Sequence, residues 1–214
     1  MSDTRARILS HATEVLTSVG YAAFTVAAVR DALGLSSGSM FHAFPSKQAL
    51  AAAVYVEGMA DYQQVALAAL ESASDPESAV RALIAAHLTW VEKHRSLAGF
   101  LFTTLPDEVM ELAQQPLSDH NSAFFTRLSG LFRSASSAGL MGRVEWPLAH
   151  ALCIGPAQEY CRKWTRGAAA RPPREAIGTL QKAALAALAS TRSARSTRPR
   201  RRRPQRGKAR SHTA

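Results

Sequence analysis

Apolar residues return at three- and four-residue steps along almost the whole chain, and no run alternates at period two for long enough to make a strand. That periodicity leaves an all-α fold, of about nine helices. Ile8, Ala12, Val15, Leu16 and Val19 mark a first helix that begins near Thr4 and stops at Gly20. Thr25 stands before "VAAVRDALG" as an N-cap, and Gly34 closes that short second helix. Ser36 caps a third short helix through His42, Pro45 ends it, and Ser46 caps again. From there "KQALAAAVYVEGMADYQQVALAAL" runs as one long helix to about Leu70.

The segment "ESASDPES" reads as a linker, with Asp75 as a cap and Pro76 in the first turn of the next helix. That helix carries Val80, Leu83, Ile84, His87, Leu88, Val91 and His94 along one stripe. Pro106 and Pro116 are expected to break the middle of the chain into short pieces, with helices following over about 117–138, 145–166 and 174–189. The expected organisation is a helix-turn-helix unit over 1–47, a larger helical bundle over 48–190 and a disordered tail over 191–214.

The net charge of +10 belongs to that tail. Ten of the 26 Lys and Arg residues lie between positions 192 and 210 with no acid among them, which leaves sixteen bases against the chain's 16 acids. A Pro-, Ser- and Arg-rich segment cannot bury enough apolar surface to offset its ordering entropy, so it reads as a polycation suited to phosphate or acidic partners, or as a solvated tail that aids solubility. The two cysteines, Cys153 and Cys161, are eight apart in one expected helix and form neither a disulfide framework nor a metal pair of usual spacing. No stretch approaches the length of a membrane span and no signal pattern opens the chain, so a cytoplasmic protein without membrane contact is expected.

The stretch "GLSSGSMFHAFPSK" is rich in small and polar residues between two apolar helices. Two short helices joined by "GLS" form a helix-turn-helix, whose second helix fits the major groove of double-stranded DNA. Ser36, Ser37 and Ser39 can meet phosphates or base edges, and Gly38 lets the backbone approach closely. Phe41 and His42 follow on the same helix, Lys47 can reach the DNA backbone as a point charge, and Thr25 caps the preceding helix where it would abut phosphates. Phe44 is expected inside, locking the motif to the first helix.

Over about residues 4–56 the chain resembles the N-terminal DNA-binding domain of the TetR family of bacterial transcriptional regulators. Ile8-Leu9, Ala12, Gly20-Tyr21, Phe24-Thr25-Val26, Gly34-Leu35-Ser36, Gly38, Phe44 and Ser46-Lys47 all fall in register with that family's pattern. The resemblance implies an all-helical homodimer with a DNA-reading head and a C-terminal domain that binds a small-molecule effector and releases the operator. Three positions depart from the pattern: Phe41 where Tyr is usual, Ala43 where a polar residue is common, and Arg30 where a small residue is more frequent, an arginine expected to point outward. Residues 1–47 carry four basic and three acidic side chains, so the head's own electrostatic pull on DNA is slight.

In the larger domain the small and apolar stripe Ala176, Ile177, Leu180, Ala183, Ala184, Ala187 and Leu188 suits close approach to a partner helix or cover for its own core. A ligand pocket needs aromatic and polar groups converging in an apolar bundle. The candidates are His87, Trp90, Phe100, Phe124 and Tyr160, with His94, Phe102, Phe125 and Trp164 as further possibilities. A histidine on an apolar stripe is more often a hydrogen-bonded core residue, and aromatics at helical spacing are core by default, so both readings stay open. No nucleophile beside a base, paired carboxylates or phosphate-cradling glycine loop is present, so neither an enzyme, a cofactor nor a metal site is expected. The expectation is a ligand-responsive transcriptional regulator, released as a repressor from a palindromic operator by an apolar or amphipathic molecule. The rival is a nonspecific nucleic-acid binder that works through the Arg-rich tail.

Overall fold

The computed structural model describes residues 3–192. Apart from Thr191 and Arg192, the Arg-rich tail lies outside the described residues. Within them are nine α-helices and no strand: α1 (Asp3–Ala23), α2 (Val26–Ala32), α3 (Ser37–Ala43), α4 (Lys47–Glu71), α5 (Pro76–Lys93), α6 (Arg95–Leu101), α7 (Asp107–Ser137), α8 (Trp146–Thr165) and α9 (Pro173–Ser190).

Local chemistry sets most of the boundaries. Gly20 interrupts α1 at φ 74°, ψ 166°, and one further turn then carries the chain to Ala23. Gly34 takes φ 63° in the turn between α2 and α3, a left-handed conformation that costs glycine least. The side chains of Thr25, Ser36, Ser46 and Asp75 each accept a backbone N–H of the helix they precede. At α5 the cap is reciprocal, because Asp75 Oδ1 accepts from Ser78 N at 3.0 Å while Asp75 N donates to Ser78 Oγ at 3.1 Å.

Pro116 does not break the middle of the chain as the sequence suggested. It lies inside α7, a single helix of 31 residues. The missing N–H costs one helical hydrogen bond, but Val109 and Ala113 before the proline and Phe124, Leu128 and Ala135 after it are all buried. Packing of that one face, largely against α4, carries the helix through.

Helices α1 to α3 pack around Ile8, Leu16, Phe24, Val29, Met40 and Phe44, each no more than 1% exposed. The expectation for Phe44 is met, and the Arg5 guanidinium covers its ring at 4.0 Å while Arg5 Nη1 donates to Ala43 O at 2.5 Å. Below this head, α4 lies against α5 and α7, while α5 is flanked by α8 and α9. Arg174 ties α9 to Glu92 of α5 through an ion pair, and Gln181 Nε2 donates to Arg81 O at 2.9 Å. Of the α9 stripe, Ala184 and Leu188 are buried in the protomer's own core while Ala183 is exposed, so one face of the helix covers the bundle and the other is open. Cys153 and Cys161 are free thiols inside the bundle, and burial pushes both up to about 12.

Candidate nucleic-acid interface and internal cavity

The α3 helix owes its orientation to two apolar residues about one turn apart: Met40 and Phe44 are buried in the head, and Ser36, Ser37, Gly38, Ser39, Phe41 and His42 are exposed. Thr25 is exposed at the start of α2, on the same motif. Phe41 is 54% exposed, a large apolar side chain with no intramolecular reason to be outside. Ser36 Oγ accepts from Ser39 N at 3.1 Å and lies 2.9 Å from Ser39 Oγ, so these two hydroxyls hold the helix start as well as face outward.

Besides Arg5, two further basic side chains of the head are engaged within the protein. Arg30, expected to point outward, is half-buried: it donates twice to Asp31 Oδ1, at 2.8 and 2.6 Å, and through Nη1 to Ser37 Oγ at 3.2 Å. The short acidic neighbour and the serine across the turn account for this, because a guanidinium can bridge both at once. Lys47 Nζ donates to Ala22 O at 3.4 Å and sits 4.5 Å from the Tyr21 ring centroid, which anchors α4 to the end of α1.

The bundle holds a partly open cavity of about 240 Å³. Three of the candidates from the sequence, His87, Trp90 and Phe124, line it, as do Phe102 and Phe125. Phe100 and Tyr160 are not brought there. Phe100 packs beside Leu16 and Tyr21 where α6 meets α1, and the Tyr160 hydroxyl donates to Arg171 O at 2.9 Å near the α8–α9 connection.

The cavity wall also includes residues that reasoning from the sequence missed. Tyr55, Met59, Tyr62 and Gln63 enter from one face of α4, Asn121 from α7, and His150 and Gln158 from α8. The helical spacing of the α4 set was present in the sequence, while the burial of Gln63, only 4% exposed, was not. Asn121, His150 and Gln158 carry no such local mark. Gln63 Nε2 donates to Asn121 Oδ1 across the α4–α7 contact, and Trp90 Nε1 donates to Asp61 Oδ2 at 2.7 Å.

His87 is the least satisfied polar group of this wall. Its Nδ1 lies 3.1 Å from the Tyr62 hydroxyl, while Nε2 is buried with no hydrogen-bond partner among the described residues. Burial lowers its pKa to about 4, with a smaller contribution from His150, so the ring is neutral near pH 7. Burial lowers His150 as well and raises the phenols of Tyr62 and Tyr55. Around Tyr62 the rings of His87, Trp90 and Phe124 stand edge to face, with centroids 5.5, 5.3 and 6.5 Å away. Among the described residues no three His, Cys, Asp or Glu side chains group to hold a metal ion, and no helix is long and apolar enough to cross a membrane.

The family profile of bacterial regulatory proteins, tetR family, matches residues 8–54, the span from the middle of α1 to the first turns of α4. Curated protein sequences give no match. Solved structures resemble the chain over nearly its full described length. The fatty acid degradation regulator FadR from Bacillus halodurans superposes with a TM-score of 0.71 at 19% identity, covering 86% of this chain and 96% of that one. The transcriptional regulator FadR from Bacillus subtilis, in complex with stearoyl-CoA, gives 0.71 at 14% identity over 85% and 98%. PfmR from Thermus thermophilus, a TetR family transcriptional regulator, gives 0.63 at 22% identity over 84% and 97%. The profile match covers the head, and the solved structures share the fold of head and bundle together.

Proposed function

We propose that the chain is a ligand-responsive transcriptional regulator acting in the cytosol as a homodimer, a repressor released from a palindromic operator by a small molecule held in the bundle cavity. The observation that carries this reading is the course of α4. Its first turn anchors the head through Lys47, and its later turns supply Tyr55, Met59, Tyr62 and Gln63 to the cavity wall. A shift of α4 on ligand binding therefore moves both heads relative to each other. Two copies of α3 then leave successive major grooves, whose centres lie about 34–36 Å apart or at a multiple of that spacing. The ligand need only favour the released geometry by a factor of about 5–150. The exposed faces of α8 and α9, with Leu148 at 49% exposure, are the surfaces proposed to pair with a second copy. The stearoyl-CoA complex of the Bacillus subtilis regulator is a precedent for a small molecule in this fold.

Fluorescence anisotropy with an operator recovered from random-sequence selection tests the reading. The full chain is expected to prefer that site over bulk DNA by about a thousandfold or more. Ser37→Glu, which sets a carboxylate on the exposed start of α3, is expected to abolish operator binding while helicity and dimer mass stay unchanged. Retained binding by that variant means another surface reads the DNA. Repeating the titration at two salt concentrations with a chain ending at Arg192 separates the tail's part. Every phosphate that the tail neutralises steepens the log–log salt slope by about 0.9, so truncation should flatten the slope in proportion. A chain that binds all sequences equally, and no longer binds once the tail is removed, is a nonspecific binder.

A further inference from the structure

The cavity specifies more than the presence of a ligand. Among the described residues, no Asp, Glu, Lys or Arg lines it. The nearby carboxylate of Asp61 already accepts the Trp90 indole N–H. The two histidines in the wall are held toward the neutral form by burial. A charged group entering this space would lose its hydration with no counter-ion to replace it.

The hydrogen-bonding pattern fixes which atom of the wall awaits a partner. Across this 3.1 Å contact either atom can be the donor: a donating imidazole leaves two polar groups of the pair without partners among the described residues, and donation by the Tyr62 hydroxyl to His87 Nδ1 leaves only one. Donation in that sense leaves the proton of the neutral imidazole on Nε2, so the buried atom without a partner among the described residues is an N–H donor. Buried N–H groups without acceptors are rare, and this one belongs to a side chain that lines a cavity.

Size and shape narrow the class again. At about 30 Å³ per water-sized group, 240 Å³ holds on the order of eight to ten non-hydrogen atoms. A long saturated acyl chain alone needs about twice that volume. Half of the sixteen lining residues carry rings, among them Tyr62, Trp90, Phe102, Phe124 and Phe125 beside His87, which suits a flat guest in stacked or edge-on contact.

Resting on the reading of this cavity as the effector site, we infer that the effector is a small, uncharged, single-ring aromatic molecule whose carbonyl-type oxygen accepts a hydrogen bond from His87 Nε2. Calorimetric titration of the full chain at pH 7 tests this with four probes: acetophenone, ethylbenzene, benzoate and stearoyl-CoA. Acetophenone is expected to bind at least tenfold more tightly than ethylbenzene, which has the same outline without the oxygen, and than benzoate, which adds charge. His87→Phe is expected to erase the difference between acetophenone and ethylbenzene, and His87→Gln, whose amide supplies an N–H, to keep part of it. Thermal melts of both variants establish that they are folded before the comparison is made. Equal binding of acetophenone and ethylbenzene, no binding of acetophenone, or tighter binding of benzoate or stearoyl-CoA overturns the inference. Operator anisotropy with the same probes separates the ligand class from the effector role. Release of DNA by stearoyl-CoA without binding of the aromatic probes sinks the ligand class and leaves the effector reading standing. Acetophenone binding that follows the expected order but leaves operator affinity unchanged supports the ligand class and sinks the effector reading.

Discussion

In the head, hydroxyl side chains bond backbone amides three residues away and stay exposed, as Thr25 does for Ala28 and Ser36 for Ser39. In the bundle, polar groups find side-chain partners 25, 29 and 58 positions away, Tyr62 with His87, Asp61 with Trp90 and Gln63 with Asn121. The head thus spends its polar chemistry on fixing short helices whose outer surface remains free. The bundle spends its own on the interior, where an unmatched group is expensive. One region is built to present a surface and the other to enclose a space.

The contrast breaks most readily in the head's core. Phe44→Ala removes a wholly buried ring and the platform for Arg5, and is expected to cost about 3–5 kcal/mol in chemical denaturation. Operator binding should fall with it, because α3 depends on that core for its orientation. Full binding by a folded variant means that α3 needs no such support.

A pH titration of stability sharpens the comparison from the side of the bundle. The His87 pKa is about 4 in the fold and near 6.5 in the unfolded chain, so between these values the unfolded state binds the proton and the folded state does not. Stability should therefore fall as pH drops below about 6.5 and go on falling toward pH 4. At pH 5 the loss from this one residue is about 2 kcal/mol relative to pH 7. Denaturation midpoints of the wild type and of His87→Phe at the two pH values check it. The lowered pKa of His150 acts in the same sense and should leave a smaller remainder in the variant. An identical pH response in both proteins refutes the assignment to His87.

The smallest expected effect is local to the head. Ser36→Ala deletes the cap of a seven-residue helix and should cost about 1 kcal/mol. Amide exchange should quicken at Ser39, whose N–H loses its acceptor, and leave α5 to α9 unchanged. Faster exchange throughout the bundle would mean that head and body unfold as one unit.

Legibility follows the same division. Caps and stops such as Thr25, Gly34, Ser36, Asp75 and Pro76 act on residues within one turn, so the head and most helix boundaries could be read along the chain. The outward set of α3 was legible for the same reason, since Met40 and Phe44 stand about one helical turn apart and so share one dry face. Pro116 was misread because its local cost is visible in sequence and the packing of α7 on α4 is not. The tether of Arg30 to Ser37 was not legible because it crosses a turn. In the cavity, Phe100 and Tyr160 share the composition of Phe124 and Trp90 yet face elsewhere, since aromatic character does not say which side of a helix meets which neighbour.

The sequence by itself determined that this chain is all-helical, that a short serine-bearing helix stands exposed near its N-terminus, and where most of its helices begin and end. Each of these follows from interactions that reach no more than a few residues. Only the tertiary structure decided that Gln63 meets Asn121, that Tyr62 meets His87, and that His87 Nε2 is buried without a hydrogen-bond partner among the described residues. Those depend on how α4, α5, α7 and α8 close around one another, and close packing of distant segments leaves no periodic mark on the chain.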